Sequence, residues 1–129
     1  MAQIKIYSLR EHLDPIKKQL SDTIHACAIE ALHLPPDKRF HRFIALDKAD
    51  FFFPPDRSSR YTIIEISMFE GRSVETKKQL IRLLFTRLQA ELQIEPQDIE
   101  IIIFETPQYN WGIRGLPGDE LSLNYRVNV

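Results

Sequence analysis

Two prolines that close two helical patterns, Pro36 and Pro96, lie 60 positions apart, and so do the apolar residues Ile6 and Ile66. A chain that keeps one register from strand through helix to turn in both halves folds most economically as two βαβ units in tandem. Right-handed crossovers then put both helices on one face of a shared four-stranded mixed sheet. With 129 residues the chain is long enough for one compact domain and short for two. The reading is a single α+β domain over 1–129, with halves at about 1–60 and 61–129.

The local patterns agree with this order. Ile4-Lys5-Ile6-Tyr7 alternates as a strand does, and Asp14 stands before Pro15 as a cap before a first helical turn. Ile16, Leu20, Ile24, Cys27, Ala28 and Ala31 then recur at helical spacing, which predicts an amphipathic helix over 15–33. Leu34-Pro35-Pro36-Asp37 ends it. A strand is predicted over 40–46, and a β-branched one over 61–68. Ser73 caps a second helix whose stripe is Val74, Leu80, Ile81, Leu84, Phe85, Leu88 and Leu92, and 99–104 is the next strand. Leu121, Leu123, Tyr125 and Val127 alternate with polar residues, which predicts a late strand that pairs outward. Phe51, Phe52 and Phe53 precede a turn-rich stretch and are read as a contact with another subunit.

Two helices cover one sheet face, yet Ile99, Ile101, Ile102, Ile103 and Phe104 put apolar side chains on both. A large bare apolar face is rare on a monomer, so a symmetric homo-oligomer is expected.

Composition bounds the partners. A formal charge of −1 argues against nucleic acid, and no apolar run approaches the roughly 20 residues of a membrane span. The N-terminus lacks the pattern of a signal peptide, and the single cysteine, Cys27, fits a reducing compartment, so the expected location is cytoplasmic. The four histidines are dispersed and the four glycines form no phosphate-binding pattern, so neither a metal nor a cofactor is expected.

The doubled βαβ pattern resembles the tautomerase superfamily, which includes 4-oxalocrotonate tautomerase, macrophage migration inhibitory factor and malonate semialdehyde decarboxylase. The resemblance is carried also by Gly71-Arg72-Ser73, by the Pro96-Gln97-Asp98 turn and by Asn110-Trp111-Gly112. Length and the placement of Gly-Arg-Ser look most like the decarboxylase branch. The resemblance implies a homotrimer and cofactor-independent chemistry on a small keto or enol carboxylic acid, led by an N-terminal proline amine. Here Ala2 takes the place of that proline, so the amine would be primary. Arg72 matches an arginine that holds the substrate carboxylate, while Glu70 stands where the branch has a second arginine. The branch's catalytic aspartate falls at Lys38 when Pro35 is the anchor, with Asp37 one place off, and Asp37 is carried as a candidate. Trp111 matches a pocket aromatic, and Arg114 and Arg39 are further candidates for anion contact. Three readings are carried: an enzyme using the Ala2 amine, an inactive relative that binds a ligand or protein, and an unrelated ferredoxin-like βαβ domain, which the aliphatic central strands and the negative net charge disfavour.

Overall fold

In the computed structural model, which describes Met1–Val129, the chain runs β1 (Ala2–Leu9), a single turn α1 (Arg10–Leu13), α2 (Lys17–Leu32), β2 (His41–Leu46), β3 (Thr62–Phe69), α3 (Val74–Leu92) and β4 (Ile99–Thr106). A small hairpin of β5 (Gly112–Ile113) and β6 (Leu116–Pro117) follows. The main sheet has the order β2-β1-β3-β4, with β1/β2 and β3/β4 parallel and β1/β3 antiparallel. This is the expected doubled βαβ sheet.

The repeat has a geometric counterpart. Ala2 faces Met68 and Ser8 faces Thr62 across the central strands, and a shift of 60 residues carries Ala2 to Thr62 and Ser8 to Met68. The two halves are therefore related by a pseudo-twofold axis through the Lys5/Glu65 pair. Both main helices end alike, at His33 (φ 56°) and Gln93 (φ 55°), each left-handed and each 60 positions from the other. Neither is glycine, so each end carries a small strain in exchange for a carbonyl satisfied by the turn, Ile29 by His33 N and Gln89 by Gln93 N.

The core lies between the sheet and the helix pair. Ile4, Ile6, Ile64, Ile66 and Ile99 point from the strands onto Leu20, Ile24 and Ala28 of α2 and Leu80, Leu84 and Leu88 of α3. Cys27 is fully buried among them, and burial pushes its thiol up to about 11, so it serves as a small apolar residue. No helix is long and apolar enough to cross a membrane.

Four sequence expectations need correction. Asp14 and Pro15 do not open the long helix; they form a 3-10 turn between α1 and α2, because Leu13, fully buried, has to reach the core first. Residues 121–127 form no strand. Their apolar positions serve packing instead: Val127 is buried against Met1 and Phe69, and Leu123 and Tyr125 lean on the same cluster. The sheet face away from the helices is not evenly apolar, since Gln3, Lys5, Tyr7, Glu65 and Ser67 occupy its middle, with Tyr7 donating to Glu65 at 2.6 Å. Its apolar part consists of Ile44 and Ile63, in register with Tyr7, and the edge strand β4, where Ile102 and Phe104 are 46% and 47% exposed. Finally, Phe51 and Phe53 pack within the chain on Tyr61, with ring centroids 5.5 and 5.1 Å away, which leaves only Phe52 free, at 90% exposure.

Candidate active site

The head of β1 ends in a pocket assembled from distant parts of the chain. Met1 is 7% exposed and packs with Phe69, from the end of β3, and Val127, from the C-terminal tail. Its α-amine donates a hydrogen bond to Tyr125 Oη. The tail is fixed over this spot at three points. Besides the Tyr125 contact, Ser73 N donates to Val129 O at 3.0 Å, and Asn128 Oδ1 lies 2.6 Å from where a side chain on Gly71 would begin. Gly71 has φ +132°, a conformation that only glycine adopts freely, so both its backbone and its missing side chain let the tail approach.

Arg72 is the central charge of this pocket. It is 5% exposed, and Nη1 donates to Phe69 O at 3.2 Å, while Nε and Nη2 have no partner. Burial lowers its pKa, an effect opposed by Tyr125 and Glu105. Glu105 does not neutralise it, since that carboxylate accepts from Lys77 Nζ at 2.6 Å. A guanidinium with two buried idle donors is costly to maintain and is suited to receive a carboxylate in a fork.

The terminal amine responds to the same surroundings. Burial, then the charges of Arg72 and Lys38, lower its pKa from 8.0 to about 5, so at neutral pH it holds a free electron pair. Tyr125 moves the other way: burial raises its pKa, against the pull of Arg72 and Arg114, and it keeps its proton. Beside the amine opens a cavity of about 240 Å³ lined by Met1, Lys38, Arg114, Ser122, Leu123, Asn124 and Tyr125. None of Lys38, Arg72 and Arg114 is in an ion pair. The pocket gathers cations and lacks a carboxylate of its own.

The residues singled out in the sequence divide accordingly. Arg114 lines the cavity, and Arg72 is buried without lining it, close enough for its charge to act on the amine and Tyr125. Ala2 is adjacent and 5% exposed, but its nitrogen is a peptide amide in this chain, and the amine in the pocket belongs to Met1. Lys38 lines the cavity, whereas Asp37 is exposed and does not. Arg39 is elsewhere, paired with Asp22 at 2.6 Å and beside a shallow depression with Gln3, Phe40, His41 and Arg42. Trp111 supports the pocket from behind: its ring meets Phe69 edge-on at 5.2 Å, and Nε1 donates to Thr106 Oγ1 at 2.7 Å. Tyr125 went unrecognised in the sequence, because its alternation with Leu123 and Val127 also fits a strand. No group of three or more His, Cys, Asp or Glu side chains is placed to hold a metal ion.

A family model described as "Tautomerase enzyme" matches residues 38–114. The chain belongs to the tautomerase family. The match begins at Lys38 and ends at Arg114, both on the cavity, and the terminal amine and Tyr125 lie outside the matched span. Among curated relatives, Probable tautomerase YusQ of Bacillus subtilis (strain 168) is 28% identical over 99 residues, 73% of this chain and 78% of the relative. The 2-hydroxymuconate tautomerase of Comamonas testosteroni is 35% identical over 57 residues, 44% of this chain and 90% of the relative. Among solved structures, malonate semialdehyde decarboxylase superposes with a TM-score of 0.80 at 21% identity, covering 92% of this chain and 99% of the other. Native fused 4-OT gives 0.81 at 19%, covering 92% and 98%. These two likenesses establish the tautomerase fold.

Proposed function

We propose that this member of the tautomerase family binds a small keto or enol carboxylic acid and moves a proton on it without a cofactor, using the amine at the head of β1. That amine is Met1's in the chain as described, and becomes Ala2's if Met1 is removed, which a small second residue favours. Arg72 would hold the carboxylate, with Arg114 and Lys38 adding positive potential, and the apolar wall of Phe69, Trp111 and Leu123 would keep water out. The observation that carries this reading is the pair of idle donors on buried Arg72, whose charge, after burial, lowers the pKa of the terminal amine to about 5. The position of Ala2 favours a second reading, since a chain without the proline could keep the pocket and lose turnover.

Ketonisation of phenylenolpyruvate and 2-hydroxymuconate, followed in the parent, Ala2→Pro and Arg72→Ala, separates the two. Turnover in the parent that falls at least about 100-fold in Arg72→Ala supports catalysis. A parent inactive on both enols, with turnover appearing only in Ala2→Pro, would sink it in favour of a binding module.

The proposal includes one domain over 1–129 and self-assembly as a homotrimer. The exposed Ile102 and Phe104 on β4 and the free Phe52 supply apolar contact area, and a related fused 4-OT is described as a symmetric trimer. That relative superposes with a TM-score of 0.78 at 18% identity, covering 91% of this chain and 96% of the other.

A further inference from the structure

Residues 121–129 form neither helix nor strand and lie across the start of α3. They touch both neighbours of Arg72. Asn128 Oδ1 and Val127 Cγ1 are 2.6 and 3.0 Å from where a side chain on Gly71 would begin, and Val129 O accepts from Ser73 N at 3.0 Å. Val127 also packs on Phe69, whose carbonyl takes the one hydrogen bond that Arg72 makes, and the Tyr125 hydroxyl is close enough to act on the guanidinium. Arg72 is roofed as a result. Its Nε and Nη2 have no solvent contact and no partner, and it forms no part of the wall of the cavity beside Met1. A carboxylate in that cavity reaches those donors only if something moves.

What holds this stretch down is slight. One backbone hydrogen bond, from Ser73 N to Val129 O, and one from the Met1 amine to Tyr125 Oη tie it to the rest of the chain, and Val127 is its only buried residue. A segment with so little buried apolar surface opens locally at far lower cost than the whole fold. Arg72 itself is fixed, between the end of β3 and the Ser73 cap of α3. We propose that residues 121–129 are a strap that gates the pocket: lifting it exposes the two idle donors of Arg72 and parts Tyr125 from the Met1 amine in one movement. Two groups that must act on one ligand are thus withheld together and released together. The apparent affinity for a carboxylate is then the intrinsic one reduced by the fraction of molecules with the strap open. Gly71 sets the closed position, because a methyl group there would collide with Val127 and Asn128. The identity of the entering anion rests on the function proposed above, whereas the opening does not depend on it.

Labelling of the full chain with phenylglyoxal, mapped to single arginines by peptide mass, tests the gate. In the parent, Arg72 should react at least about tenfold more slowly than Arg114, which is exposed and lines the cavity. Gly71→Ala, which pushes the strap up, and Val127→Ser, which weakens its one buried anchor, should each speed the labelling of Arg72 about tenfold and leave Arg114 unchanged. Trypsin cleavage after Arg126, an exposed residue of the strap, should rise by the same factor while cleavage at Arg82 within α3 stays constant. An Arg72 that reacts as fast as Arg114 in the parent, or a rate that neither substitution changes, overturns the gate. Saturating pyruvate should protect Arg72 in both variants, and this arm keeps the two readings apart. Faster labelling without protection leaves the gate standing and defeats the carboxylate site, whereas protection with no effect of either substitution does the reverse.

Discussion

Arg72 and the α-amine of Met1 act on each other in one pocket: the guanidinium, with two idle donors, helps burial hold the amine at a pKa of about 5, and no carboxylate pairs with either. Folding has buried an unpaired guanidinium at the head of β1, and the chain bears that cost in stability. Such a cost is recovered when an anion arrives.

Replacing Arg72 by methionine should therefore stabilise the folded chain while destroying its affinity for carboxylates. The side chain is 5% exposed, so the gain from removing an unpaired buried charge is on the order of 1–3 kcal/mol. Thermal melts of parent and Arg72→Met, with and without a small keto acid, check it. The parent should be stabilised by ligand and the variant should melt higher without responding. A variant that melts several degrees lower contradicts this account of Arg72.

The pH profile reports the amine. With a pKa near 5, the base or nucleophile form is lost only in acid, so kcat/KM for ketonisation should fall about tenfold per pH unit below that value and be flat above it. An ordinary α-amine would instead place the break near its reference value of about 8. A profile breaking near 8 would show that neither burial nor the charges of Arg72 and Lys38 act on the amine in solution.

Acid should also loosen the packing of α2 against the start of β2. His41 Nδ1 lies 2.7 Å from Ser21 Oγ, His25 Nε2 lies 2.8 Å from Pro36 O, and the two imidazoles meet edge-on at 6.0 Å. Burial, then His25, then Arg39, lower His41 from 6.5 to about 4. The unfolded chain thus binds the proton more readily, so stability is full above about pH 6.5 and declines as pH falls towards 4, by up to about 3 kcal/mol. Urea unfolding across that range measures the slope. His41→Ile, which copies the pseudo-twofold counterpart Ile101, should flatten it.

Assembly is tested on β4. Phe104→Glu combined with Ile102→Lys places charges on the exposed apolar edge, and light scattering should then report monomers where the parent is trimeric. A parent that is monomeric at micromolar concentration refutes the trimer proposal.

The layout of the fold was legible because its signals are periodic and repeated. Isoleucines at alternate strand positions and the stripes from Leu20 to Ala31 and Leu80 to Leu92 each specify one buried face, and the 60-residue spacing ties them together. The site was only half legible. Arg72 stands out through its place before the Ser73 cap, but Tyr125 depends on a tail whose alternation suits both a strand and a packed strap. Lys38 was in view through the turn proline, yet a lysine where a carboxylate is expected reads as a surface charge until the fold shows the cavity. Leu13 was missed for a related reason: a four-residue helical turn has too few positions to display a period.

The pseudo-twofold axis also sets a stoichiometry. It carries Met1 to Tyr61, Ala2 to Thr62, Lys38 to Asp98 and Arg72 to His12, so the far end of the central strand pair holds a twin of the pocket. There the chain continues through residues 58–61. Asp98 is occupied by Ser58 N at 2.7 Å and Ser58 Oγ at 2.5 Å, and His12 by Ser8 Oγ at 2.9 Å. At Tyr61 the position of the terminal amine is taken by a peptide amide, so the ligand binding proposed for the amine should saturate at one equivalent per chain.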